Sequence, residues 1–107
     1  MNYLENWEYA VPEGWLKTDW WSELIQEVEG FAAKWGSDEE PFHILQVKEK
    51  WGQLRVYAAF DFDAWDEWDE MISYYEEISG RTCMTCGSYK IIKKRKENMS
   101  CDHCKAL

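Results

Sequence analysis

A chain of 107 residues with eight Trp, six Tyr and four Phe makes one domain with a modest core, too small to cover every ring, so exposed aromatic surface is expected. Residues 1–80 carry a net −14 and residues 81–107 a net +5, for −9 overall. An acidic body repels phosphate backbones at long range, which excludes general DNA or RNA binding. The N-terminus lacks a basic start followed by an apolar run, and no uncharged stretch is long enough to cross a bilayer, so the reading expected is cytoplasmic, with no membrane.

In chain order, residues 1–14 read as irregular or short strand, ending in the turn Pro12-Glu13-Gly14. Trp15 to Trp35 reads as a helix, because Trp20, Trp21, Leu24, Ile25, Val28, Phe31, Ala32 and Trp35 recur at helical spacing. Thr18 or Asp19 caps its regular part, and the polar run Gly36 to Pro41 stops it. Phe42 to Phe60 reads as a β-hairpin turning at Trp51-Gly52-Gln53. Alternation puts Leu45, Val47, Leu54, Val56 and Ala58 on one face, and Gln46, Lys48, Lys50, Arg55 and Tyr57 on the other. Asp61 to Ser79 reads as a second helix, apolar along Trp65, Trp68, Met71, Ile72, Tyr75 and Ile78, acidic elsewhere, and ended by Gly80.

The last quarter carries Cys83-Met84-Thr85-Cys86 and Cys101-Asp102-His103-Cys104, the four cysteines of the chain, with fourteen residues between the pairs. This is zinc-ribbon spacing: each CxxC turn offers two thiolates, and two turns close a tetrahedron. Four thiolates leave no open position, so the expected ion is one structural Zn2+ held by Cys83, Cys86, Cys101 and Cys104, with His103 a bystander. A reducing cytosol favours zinc; in a secreted chain the same cysteines would form two disulfides. The predicted fold is therefore α+β: a small antiparallel sheet or hairpin packed on two amphipathic helices, with a C-terminal zinc ribbon. Residues 1–80 form the acidic, Trp-rich body and residues 81–107 a basic tail packed on it.

Three of the five bases of the body, Lys48, Lys50 and Arg55, fall within eight residues and on one strand face. Like charges held together need a counter-charge, which an anion or neighbouring carboxylates supply. Arg grips a phosphate or carboxylate with two parallel hydrogen bonds, and Trp51 or Tyr57 offers a ring for stacking. Lys48, Lys50, Trp51, Arg55 and Tyr57 are thus the parts of a site for a nucleotide-like anion; the alternative is salt bridging to the acidic helix at 66–77. That helix, with Asp61 and Asp63, also matches a nucleic-acid mimic that occupies a basic groove on another protein. Catalysis has little support: His43 and His103 lie far apart, no nucleophile–base set stands out, and no glycine-rich phosphate loop is present.

The order of Gly14-Trp15, the helix, Lys48-Glu49-Lys50-Trp51-Gly52-Gln53-Leu54-Arg55-Val56-Tyr57 and the two CxxC pairs resembles a family of small uncharacterised proteins common in bacteriophages and prophages. Those proteins carry a KEKFGGLRFY-like motif before a zinc-binding tail. Here Trp51 stands for the usual Phe, Gln53 for the second Gly and Val56 for the second Phe. The resemblance spans most of residues 14–104 and implies a phage or mobile-element protein working in the host cytosol. The function expected is non-enzymatic binding, as a counter-defence protein sequestering a small anionic nucleotide-like ligand. The alternative is an acidic inhibitor of a host protein, and the third reading is an enzyme acting on a phosphodiester. The exposed aromatic surface is also compatible with a homodimer.

Overall fold

The computed structural model describes residues 3–87. A 3-10 helix at Glu5–Ala10 leads into one helical turn, α1 (Glu13–Leu16), and then α2 (Asp19–Trp35). A hairpin of β1 (His43–Lys50) and β2 (Gln53–Ala59) follows, and then α3 (Trp65–Ser79). The α+β expectation is met by helices around a two-stranded antiparallel sheet. The expected zinc ribbon needs Cys101 and Cys104, which lie outside the described residues. No helix among the described residues is long and apolar enough to cross a membrane.

The first twenty residues differ from the sequence reading. Residues 5–10 form a 3-10 helix where irregular chain or strand was expected, and it packs on β1. The first long helix is broken into α1 and α2 because Thr18 caps α2: its hydroxyl accepts the Trp21 N–H at 3.1 Å and donates to the Trp15 carbonyl at 2.6 Å. From there α2 buries Trp20, Trp21, Leu24, Val28, Phe31 and Ala32, as its periodicity requires.

Phe31 sits at the centre of an aromatic cluster. Its ring lies 5.7 Å from Phe42, 5.4 Å from Phe60, 5.8 Å from Phe62 and 5.2 Å from Trp68, centroid to centroid. Tilted and edge-on pairs at such distances add about 0.5–1.5 kcal/mol each beyond the area they bury. Phe60 and Phe62 stack at 4.3 Å, and this extended run delays α3 to Trp65, four residues after the expected start at Asp61. Tyr9, Trp51, Tyr57, Trp65 and Tyr74 stay exposed, so the core does not absorb all the rings.

The strands pair Val47 with Val56, Lys48 with Arg55 and Lys50 with Gln53, so the expected faces hold near the turn. Farther out they do not. The register shifts between Ile44 and Gln46, Ile44 pairs with Ala58, and Leu45 is 58% exposed instead of buried. One extra residue in β1 rotates Leu45 outward and gives its place to Ile44.

Helix α3 closes the outer edge of β2. The Leu54 N–H donates to Ser79 Oγ at 2.8 Å, and the Val56 N–H donates to the Glu76 carboxylate. Open strand edges pair with other chains; here two side chains of α3 take up the donors instead. Ser79 is fully buried and passes its own proton to the Glu76 carbonyl at 2.6 Å. Ser79→Ala strands the buried Leu54 N–H, and is expected to cost about 1–3 kcal/mol in urea denaturation. An unchanged midpoint would show that the edge is held by apolar packing alone.

Candidate functional site

The hairpin turns on two residues, Trp51 (φ 58°) and Gly52 (φ 77°). Positive φ at both central positions is the type I′ pattern that matches strand twist and favours Asn-Gly. Gly52 takes that conformation without strain, and its N–H is held by Glu49 Oε2 at 2.7 Å. Trp51 does not: it is the one non-glycine residue with positive φ among the described residues. A side chain in the left-handed region costs about 1–2 kcal/mol. The indole recovers little of this by burial, because Trp51 is 76% exposed.

Tyr57 (46% exposed), Lys48, Lys50 and Arg55 share the outer face behind Trp51, as alternation predicts. Lys48 lies directly across from Arg55, an unfavourable pairing of like charges. Two contacts temper it. The Lys48 ammonium sits 5.6 Å from the centroid of the Tyr57 ring. Arg55 Nη1 lies 3.8 Å from Glu76 Oε1. That separation is an ion pair but too long for a hydrogen bond, so Glu76 uses up none of the guanidinium donors. The structure thus brings Lys48, Lys50, Arg55 and Tyr57 to one face of the hairpin, with Trp51 exposed at its turn, and it also shows Arg55 reaching an acidic helix residue, as the salt-bridge alternative expects. Going outward from the turn, Trp51 stands exposed at one end, Lys50 and then the Lys48–Arg55 pair follow, and Tyr57 lies at the far end.

Burial raises the Glu76 pKa above its ordinary 4.5, with Asp69 adding to the rise; Arg55 and the Val56 N–H oppose it. The folded chain therefore holds this proton to higher pH than the unfolded chain. Glu76 contributes its stability below pH 4.5 and loses it as pH rises through the folded value. Glu76→Gln keeps an oxygen for the Val56 N–H and removes the titration. Urea midpoints at pH 4.5, 5.5 and 6.5 should fall less steeply in the variant than in the native chain; parallel profiles would contradict the assignment.

A second surface is acidic. Between α2 and α3 lies a cleft of about 660 Å3 whose walls include Glu27, Glu67, Glu70 and Glu77, with Met71 and Tyr75 as apolar lining. Glu67 is fixed by Lys34 Nζ at 3.0 Å and by the Trp35 indole N–H at 2.9 Å, and the indole and ammonium bonds hold its carboxyl below the usual range. Tyr75, buried against Glu27 and Glu23, has its hydroxyl pushed up to about 12.

The first CxxC turn is built onto the body. Cys83 is buried, Cys86 is exposed, and the Thr85 and Cys86 N–H groups each point at Cys83 Sγ at 3.4 Å. Gly87 (φ 82°) then turns the chain, and its N–H reaches the Cys83 carbonyl at 3.0 Å. Two amides aimed at one sulfur suit a metal-bound thiolate, and Cys86 supplies a second thiol three residues on, so the residues present fit one half of a zinc site. Among the described residues no third ligand joins Cys83 and Cys86; the expected partners Cys101 and Cys104 are outside them. Sequence reasoning missed what seats this turn. Gly14, Trp15, Trp20 and Thr82 meet it, and only the turn signal at Pro12-Glu13-Gly14 hinted that the region mattered. Compared with protein-family models, with curated proteins and with solved structures, the chain matches none.

Proposed function

We propose that this protein is a non-enzymatic binder of a small anionic ligand of nucleotide type, held on the outer face of the hairpin and stapled by one structural zinc ion. The observation that carries the reading is Trp51. The turn tolerates a left-handed backbone at that position while leaving most of the indole in water, which lowers stability with little gain in packing. An exposed ring kept at such a cost beside Lys48, Lys50, Arg55 and Tyr57 is best explained by a ligand that stacks and carries negative charge. Phosphate oxygens would take the Arg55 donors and the two ammonium groups, and a base would lie on Trp51 or Tyr57. The zinc would bind Cys83, Cys86, Cys101 and Cys104, with the amides around Cys83 already in place. The phage-type resemblance sets this in the host cytosol, where sequestering a nucleotide signal would blunt a defence response.

A thermal-shift and Trp-fluorescence screen of the zinc-loaded protein tests the reading, using mononucleotides, cyclic dinucleotides and ADP-ribose. A ligand that binds only the native state raises Tm by mass action. The reading expects a selective hit that Arg55→Ala abolishes while the variant still melts cooperatively. Silence across the panel would count against it.

The acidic cleft between α2 and α3 favours a second reading, an inhibitor that presents Glu27, Glu67, Glu70 and Glu77 to a basic host protein. Its mark would be a complex that weakens steeply with salt and is lost on charge reversal at Glu67 and Glu70.

A further inference from the structure

Gly14 and Gly87 face each other across the junction between the CxxC turn and the body. The Gly14 N–H donates to the Met84 carbonyl at 2.9 Å. A Cβ on Gly14 would lie 2.6 Å from the Cys83 oxygen and from the carbonyl carbon and oxygen of Met84, all backbone atoms that cannot step aside. A Cβ on Gly87 would lie 2.5 Å from the Gly14 oxygen. Backbone meets backbone here, and neither position has room for a side chain.

Thr82, the residue before Cys83, is gripped from the same side. Its carbonyl receives the Trp15 indole N–H at 3.4 Å, and its hydroxyl receives that of Trp20 at 3.1 Å. The hydroxyl proton goes to the Ile78 carbonyl at 2.8 Å, which ties Thr82 back to the last turn of α3. Trp15 is fully buried and Thr82 nearly so, so these bonds are shielded from water. The turn around Cys83 is thus held by its own amides, by the end of α3 through Thr82, and by the corner between α1 and α2.

We infer that the α1–α2 corner is a socket that preorganises Cys83 and Cys86 for the metal, with Gly14 and Thr82 as positioning residues for zinc affinity. The inference rests on the zinc part of the reading above and adds where that affinity is set: in the N-terminal quarter of the chain, some seventy residues away in sequence. Linkage makes the effect reciprocal. If the corner holds the thiolates in place, a bound metal holds the corner in place. Trp15 and Trp20 then report occupancy. The cleft of about 700 Å3 lined by Trp20, Glu23, Tyr74, Glu77 and Gly87 shares Trp20 and Gly87 with the socket.

The test uses the full chain, stripped of metal under reducing conditions and titrated with Zn2+ against a chromophoric chelator. Native protein should bind one ion with a change in Trp emission. Gly14→Ala should weaken binding by about 10–100-fold, the range seen when groups that orient metal ligands are lost. Thr82→Val, which keeps shape and removes the hydroxyl, should weaken it in the same direction and stands in if Gly14→Ala does not fold. Co2+ separates positioning from general destabilisation: its visible bands report ligand geometry and should shift in both variants. They should stay in place in Val28→Ala, a buried truncation about two turns beyond Trp20 along α2. Native affinity and native Co2+ bands in Gly14→Ala and Thr82→Val would overturn the socket while leaving the zinc reading intact. A native chain that binds no zinc would overturn both.

Discussion

Chelating the metal is expected to lower the Tm of the whole chain by about 12–24 °C, with the body and the tail melting together. Structural zinc binds small zinc-finger peptides with about 10–16 kcal/mol. This body has its own aromatic core, so only part of that is linked to its folding. A quarter of it, ~3 kcal/mol, is already a large share of the ~5–15 kcal/mol typical of a folded domain. At ~4–8 °C per kcal/mol the stated shift follows. The body responds because Thr82 and Met84 are bonded to Trp15, Trp20 and Gly14, which leaves no slack between the thiolates and the core. Cys83→Ser and Cys101→Ser should each reproduce the loss in zinc-containing buffer, since either removes one of four thiolates. The measurement is a melt followed by near-ultraviolet circular dichroism, with chelator and reductant added separately. A Tm that ignores the chelator and falls with reductant would replace zinc with disulfides.

Trp51→Asn is expected to raise stability and abolish ligand binding at once. Asn accepts the left-handed backbone that Trp51 occupies at φ 58°, and Asn-Gly is the preferred pair for this turn. Relief of about 1 kcal/mol corresponds to a Tm higher by ~4–8 °C. The indole, 76% exposed, contributes little buried area whose loss would offset this. If the ring is the stacking platform, binding disappears in the same variant. Opposite signs for stability and binding in one substitution are what a functional residue held under strain produces. A variant that is less stable, or that binds as before, would mean that Trp51 packs on something in solution and serves the fold.

How much of this was legible in the sequence depended on periodicity. The faces of α2, α3 and the hairpin follow from repeats of 3.6 and 2, so Lys48, Lys50, Arg55 and Tyr57 fall on one surface in the structure as expected. Thr18 was recognisable as a cap because its chemistry is local. Leu45 was misplaced because a bulge leaves no mark in an alternating pattern. Residues 5–10 were misread because short 3-10 helices lack a repeat of their own. The edge contacts of Ser79 and Glu76 were invisible for another reason: a side chain that reaches another element's backbone is specified by tertiary position. The Gly14 socket belongs to the same class. A glycine read as a turn signal is needed there for the close approach of two backbones.

The central claim is that the hairpin face is the binding surface, and amide chemical-shift mapping tests it most directly. The zinc-loaded, 15N-labelled chain would be titrated with AMP, ADP-ribose and a cyclic dinucleotide. The account predicts shifts confined to residues 46–57, with the Trp51 indole N–H among the largest, for at least one of them. Shifts gathered instead along the α2–α3 cleft, or none with any of the three, would contradict it.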